Sequence, residues 1–126
     1  KVKKDYLVRD GLAAEFSNYG KEYVDVFAPG HDIYSTVPSS KYDIYNGTSM
    51  AAPMVAGVSA LLKSYYPSLS MLDIRDIIFQ SVTDYNDHLT LLPGSIEKEV
   101  AFGDLSVTGG VVNVYNAVLL AEKGVK

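Results

Sequence analysis

The chain has 126 residues, 48% hydrophobic and 21% charged, with 11 Lys and Arg against 15 Asp and Glu and a formal charge of −4. That balance excludes a disordered or fibrous chain, points to one domain, and disfavours nucleic acid as a partner, which needs a concentrated basic surface. No cysteine is present, so disulfides, thiolate metal sites and cysteine nucleophiles are excluded, and two histidines are too few for a histidine-rich metal site.

Lys1-Val2-Lys3-Lys4 opens the chain without an initiator Met or an apolar run, so any signal peptide is expected upstream or already removed. Val24-Asp25-Val26-Phe27-Ala28 alternates apolar and acidic residues and stops at Pro29-Gly30, the pattern of a strand leading into a turn. Ile33-Tyr34-Ser35-Thr36-Val37 predicts a second strand, closed by Pro38, and Tyr42-Asp43-Ile44-Tyr45 a third, closed by Asn46-Gly47. From Ser49 to about Tyr65 apolar residues cover nearly every side of a helix, which predicts a buried helix ending before Pro67. Within it, the apolar run 51–62 is interrupted by Pro53, Gly57 and Ser59 and is too short for a bilayer, which takes about 20 apolar residues, so a soluble chain is expected.

Ser70 with Asp73 three residues on predicts a capped helix over 71–82, with Leu72, Ile74, Ile77, Ile78 and Val82 on its apolar face. Residues 84–110 are polar and turn-rich, with an apolar patch at Leu89, Leu91 and Leu92 and a short strand near Val100-Ala101-Phe102. A third helix is expected from an Asn113 cap, through Val114, Ala117, Val118 and Leu120, to Gly124. No repeat or linker separates these pieces, so residues 1–126 are read as one compact unit.

The chemistry lies in Asn46-Gly47-Thr48-Ser49-Met50-Ala51-Ala52-Pro53. A turn of small residues delivers Ser49 to the first turn of a helix, where unpaired backbone N–H groups and a partial positive charge favour a developing oxyanion. Pro53 lacks an N–H, so the Ser49 carbonyl loses its usual helical partner. These features suit a nucleophilic serine and equally an ordinary serine cap; the residues alone leave both open.

The stretch from Gly47 to Pro53, followed by Val55-Ala56-Gly57, closely resembles the nucleophile signature of the subtilisin-like serine proteases. The resemblance extends through Phe16-Ser17-Asn18-Tyr19-Gly20, Val24 to Gly30 and Ile33 to Thr36 before it. After it come Ala60-Leu61-Leu62, Tyr66-Pro67, the helix behind Ser70, and Gly110-Val111-Val112-Asn113-Val114-Tyr115-Asn116-Ala117. It covers roughly residues 13–120, interrupted by 84–109, which reads as an insertion. Two departures stand out. Met54 occupies a position where the family often has His, a packing difference rather than a chemical one. More seriously, the family's chain order is Asp, His, Ser, and the blocks supplying the Asp, the His and the oxyanion-hole Asn belong upstream of this stretch.

The resemblance implies the C-terminal part of a three-layer α/β fold, with a mostly parallel sheet and a buried helix after the nucleophile. It implies peptide-bond hydrolysis by acyl transfer, with Ser49 attacking the carbonyl and its own N–H as one oxyanion donor. Thr48 and Met50 would hold that geometry, and Asn46, Gly47 and Thr48 would border the substrate cleft. No cofactor is implied, although the family allows calcium in the parent enzyme. The chain alone should be inactive. A sheet edge and one face of the Ser49 helix should be left open, predicting association with the N-terminal remainder of the domain or with itself. The family, together with an acidic chain holding ten Tyr, no Trp and no Cys, suggests a secreted or periplasmic bacterial protein.

Other polar residues read plainly. His31 is expected as a surface turn residue, His88 as a solvated loop residue, and Asp25 as a solvent-facing carboxylate. Asp84, Asn86 and Asp87 read as a turn rather than a cation site. Asn46-Gly47-Thr48 matches a glycosylation acceptor, but a glycan there would block the serine. Three alternatives remain: a non-catalytic pseudoprotease or interaction module, an α/β-hydrolase drawing on Asp84 and His88, and a structural domain in which Ser49 merely caps a helix.

Overall fold

A computed structural model of the protein describes residues 11–124; the opening Lys1-Val2-Lys3-Lys4 stretch lies outside them. Strands β1 (Ile33–Val37) and β2 (Lys41–Tyr45) form an antiparallel hairpin with Ile33 opposite Tyr45. Its turn holds Ser39 and Ser40 at φ of 67° and 55°. Helix α1 (Thr48–Tyr65) and helix α2 (Met71–Gln80) follow. Next come β3 (Thr83–Asp84), β4 (Leu89–Leu91), β5 (Glu99–Ala101), a short 3-10 turn (Phe102–Leu105), β6 (Gly110–Val111) and helix α3 (Val114–Glu122). Strand β3 pairs antiparallel with β6, and β4 antiparallel with β5.

The local signals act as the sequence implies. Asp73 N–H donates to Ser70 Oγ at 3.1 Å and Ser70 N–H to Asp73 Oδ2 at 2.8 Å, a reciprocal cap that starts α2. Asn116 N–H donates to Asn113 Oδ1 at 3.0 Å and starts α3, and Gly124 follows that helix with φ +76°. At the end of α1, Lys63 Nζ donates to the Pro67 and Leu69 carbonyls at 2.9 and 2.6 Å, satisfying acceptors in the turn that Pro67 forces. Helix α2 stops two residues short of the expected 82. Ser81 adopts φ −108° and ψ 5°, and Thr83 is taken into the ladder with Val111.

Two apolar centres result. Val58 and Leu62 of α1, Ile74, Ile77 and Ile78 of α2, and Ala117 and Ala121 of α3 form the first. Burying a Leu or Ile side chain there contributes about 1.5–3 kcal/mol. The second centres on Ala13, Phe102 and Leu105, with Phe27, Tyr85, Leu92, Val100 and Val111 packed around them. Phe102 meets Phe27 at a ring separation of 4.8 Å and Tyr85 edge-on at 6.1 Å. Residues 84–109 are therefore not a loose insertion, because they supply the middle of a core. Gly109 makes this possible: at φ +60° it lies where an added Cβ would sit 2.0 Å from Asn86 Oδ1.

Two expectations are corrected. Residues 24–28 form no strand of their own, and Phe27 makes only an isolated parallel bridge to Val111. The segment is extended, and apart from Val24 N–H to Gly20 O its backbone bonds go only to residues 107–112: Phe27 N–H to Gly110 O at 3.1 Å, Val112 N–H to Phe27 O at 2.8 Å, Val107 N–H to Val24 O at 2.8 Å and Thr108 N–H to Asp25 O at 3.1 Å. The backbone groups of Val26 and Ala28 bond to no described residue. That bridge is the one parallel pairing among the described residues, whose ladders are all antiparallel.

The helix after Ser49 is not buried within this chain. Only Val58 and Leu62 of α1 are buried, while Met54 and Leu61 are exposed. The apolar surface runs round the helix, but α2 and α3 cover just one side of it. The uncovered side, with Ala51 and Ala52, faces the 24–30 segment across an open cavity of about 570 Å³, whose lining also reaches the edge of the core at Val55. An apolar helix face and an unpaired extended edge thus border one space, as the resemblance implies.

Candidate active site

Gly47 is the residue before α1, with φ 151° and ψ 162°, and no side chain caps the helix. Ser49 is the second helical residue and is exposed. Its hydroxyl bonds to no described residue, so the reading of Ser49 as a helix cap does not hold. The first turn carries no acidic residue to offset the positive end of the helix dipole. Met50 N–H turns back to Gly47 O at 3.0 Å, whereas the N–H groups of Thr48 and Ser49 donate to no described residue. An open hydroxyl beside free N–H donors is what a serine nucleophile needs for attack and for holding the oxyanion that follows.

The preceding loop is held from beneath. Gly47 N–H donates to Gly30 O at 2.8 Å, and Asp32 N–H donates to Asn46 Oδ1. Asn46 and Thr48 are exposed and Gly47 is half-buried, so the three residues expected to border a cleft stand together at the mouth of α1. Gly30, by its sequence only part of a turn after Pro29, carries this loop as well. Its role shows only when residues 17 positions apart in the chain are brought together.

No proton acceptor for Ser49 is present among the described residues. His31 stacks parallel on Phe16 with ring centroids 6.3 Å apart, and its Nδ1 lies 3.1 Å from Asp32 Oδ2, with 62% of its side chain exposed. His88 stands edge-on to Tyr85 at 6.2 Å. Neither bonds to Ser49. Asp84 Oδ1 accepts both the N–H and the Nδ2 of Asn86 at 2.7 Å, closing a turn. Asp84 and His88 thus belong to the structure around Phe102, and the α/β-hydrolase triad is not assembled. Asp25 is exposed, as expected.

The class of protein follows from sequence comparison. The Subtilase family (Peptidase S8) matches residues 7–94, and the chain belongs to that family. It is 44% identical over 88 residues to Subtilisin DY of Bacillus licheniformis, covering 70% of this chain and 32% of that protein. Over 58 residues it is 63% identical to Subtilisin-like protease 2 of Plasmodium falciparum, covering 46% of this chain and 4% of that one. Among solved structures, the A-subunit of the AB5 toxin from E. coli superposes with a TM-score of 0.65 at 26% identity, over 80% of this chain and 28% of that one. The patellamide maturation protease PatA gives a TM-score of 0.58 at 29% identity, over 79% of this chain and 34% of that one. This chain therefore has part of the α/β fold of the subtilases. The chain spans about a third or less of the curated relatives named here.

Proposed function

We propose that the protein containing this chain is a serine endopeptidase that cleaves peptide bonds by acyl transfer through Ser49. The observation that carries the reading is the Ser49 hydroxyl: exposed, unbonded, and beside two N–H groups that no described residue uses. Ser49 is the nucleophile and its N–H one oxyanion donor, while Asn46, Gly47 and Thr48 border the substrate polypeptide. The reaction needs no cofactor, since the hydroxyl itself forms the acyl-enzyme bond and water then breaks it. A calcium ion in the parent enzyme would serve stability rather than this chemistry.

The proton acceptor and a further oxyanion donor come from the N-terminal remainder of the domain. That remainder covers the apolar side of α1 and pairs with the free edge at Val26 and Ala28, filling the cavity between them. This supports reading the chain as the C-terminal part of a peptidase domain, inactive alone and prone to self-association when its edge is bare. No described helix is long and apolar enough to cross a membrane, and we place the protein outside the cell or in the periplasm, as its bacterial relatives suggest.

A fluorophosphonate probe tests the reading, applied to this chain alone and to the chain combined with its N-terminal remainder. Labelling of Ser49 only in the combination is expected. Equal labelling of the isolated chain would reveal a base within it. No labelling of either would favour a non-catalytic interaction module.

A further inference from the structure

Gly30 lies under the nucleophile loop with no room for a side chain. A Cβ at this position would stand 2.8 Å from the Gly47 carbonyl oxygen and 3.3 Å from the Ala51 Cβ. Gly30 also accepts the Gly47 N–H at 2.8 Å. Two residues on, the Asp32 N–H is received by Asn46 Oδ1. The segment 30–32 therefore grips Asn46 and Gly47 at three points, immediately before Ser49.

We propose that Gly30 is a positioning residue for Ser49, setting the orientation of the Gly47–Thr48 peptide and through it the oxyanion donors at the mouth of α1. The inference rests on the peptidase reading above. The peptide unit is planar and trans, so its C=O and N–H point in opposite directions. With the Gly47 oxygen close to Gly30 and accepting the Met50 N–H at 3.0 Å, the Thr48 N–H points away from that carbonyl and, like the Ser49 N–H, donates to no described residue. A side chain at Gly30 forces the carbonyl to rotate and carries the N–H with it. The Ser49 backbone, one residue later, shifts in the same movement. Stabilisation of the developing oxyanion is lost.

The test uses the full-length protein. Gly30→Ala is expected to lower kcat about tenfold or more with KM within about twofold, because displacing catalytic groups by a fraction of an ångström weakens transition-state contacts before ground-state ones. Affinity for a peptide boronate, which forms a tetrahedral adduct on the serine, should fall in parallel with kcat. The double variant Gly30→Ala/Ala51→Gly removes the helix contact but leaves the carbonyl contact, so kcat should stay low. Recovery of kcat in the double variant would overturn the proposal in favour of simple helix packing. If Gly30→Ala does not accumulate as folded protein, Asn46→Ala decides through fluorophosphonate labelling, which needs no bound peptide: labelling of Ser49 slowed about tenfold supports the platform, whereas labelling at the wild-type rate overturns it. Wild-type protein that resists fluorophosphonate sinks the peptidase reading. A labelled wild type with Gly30→Ala reacting at the same rate sinks only this one.

Discussion

The two ends of helix α1 do opposite things. Its C-terminal half places Val58 and Leu62 against α2 and α3, and Lys63 ties its last turn to the Pro67 and Leu69 carbonyls. Its N-terminal half is exposed, uncapped by any side chain, and holds Ser49 with unused donors. An exposed residue can thus be carried on a helix that is anchored elsewhere. One end of an α-helix positions the other, since its hydrogen bonds link every turn. What would stabilise the N-terminus, a side-chain cap or an acidic first turn, is missing there.

The strongest way to break this comparison is Ser49→Ala in the full-length protein. Turnover should fall by about 10⁶-fold, a size taken from the nucleophile of subtilisin itself, while the thermal midpoint changes little because the hydroxyl bonds to no described residue. A large stability loss would mean that the serine is structural after all. At the other end, Leu62→Ala should cost about 2–5 kcal/mol in denaturant unfolding, as for other fully buried leucines. Activity of the folded fraction should change little. A cost under about 1 kcal/mol would show that the three-helix contact does not anchor α1.

Gly109→Ala should destabilise by about 2 kcal/mol or more, since it combines a left-handed backbone with a Cβ placed on Asn86. If unfolding is unchanged, the 84–109 segment is not part of the core. The smallest effect concerns the α2 cap. Ser70→Ala should cost about 1 kcal/mol. The hydroxyl of Ser70, then its backbone N–H, and then nearby Lys63 hold the Asp73 carboxyl below its ordinary range. The folded state thus favours the ionised form, so this contribution is present above the ordinary carboxylate value and is lost as pH falls through the depressed one. Asp73→Asn should flatten that acid limb in unfolding titrations; an unchanged slope would show that the cap carries no charge-dependent part.

Much of this was legible in the chain because it depends on neighbours. The Ser70 and Asp73 pair, the Asn113 cap and the Pro38 and Pro67 stops act over three or four residues, and each appears as expected. The 24–28 segment misled because alternation marks a potential strand, while a ladder needs partners on its edges. Residues 84–109 misled for a related reason. Their polar turns conceal Phe102 and Leu105, whose burial depends on Phe27 and Ala13, some 75 residues or more away.

The order of amino acids alone thus set the capped starts of α2 and α3, the absence of cysteine chemistry, and which serine stands at a helix mouth. Only the folded arrangement decided that α1 is covered on one side alone, that Asp84 and His88 serve a core rather than a triad, and that Gly30 sits beneath Gly47. Caps and turns are local hydrogen-bond choices, whereas coverage and close approach are relations between segments that meet only when the chain closes on itself.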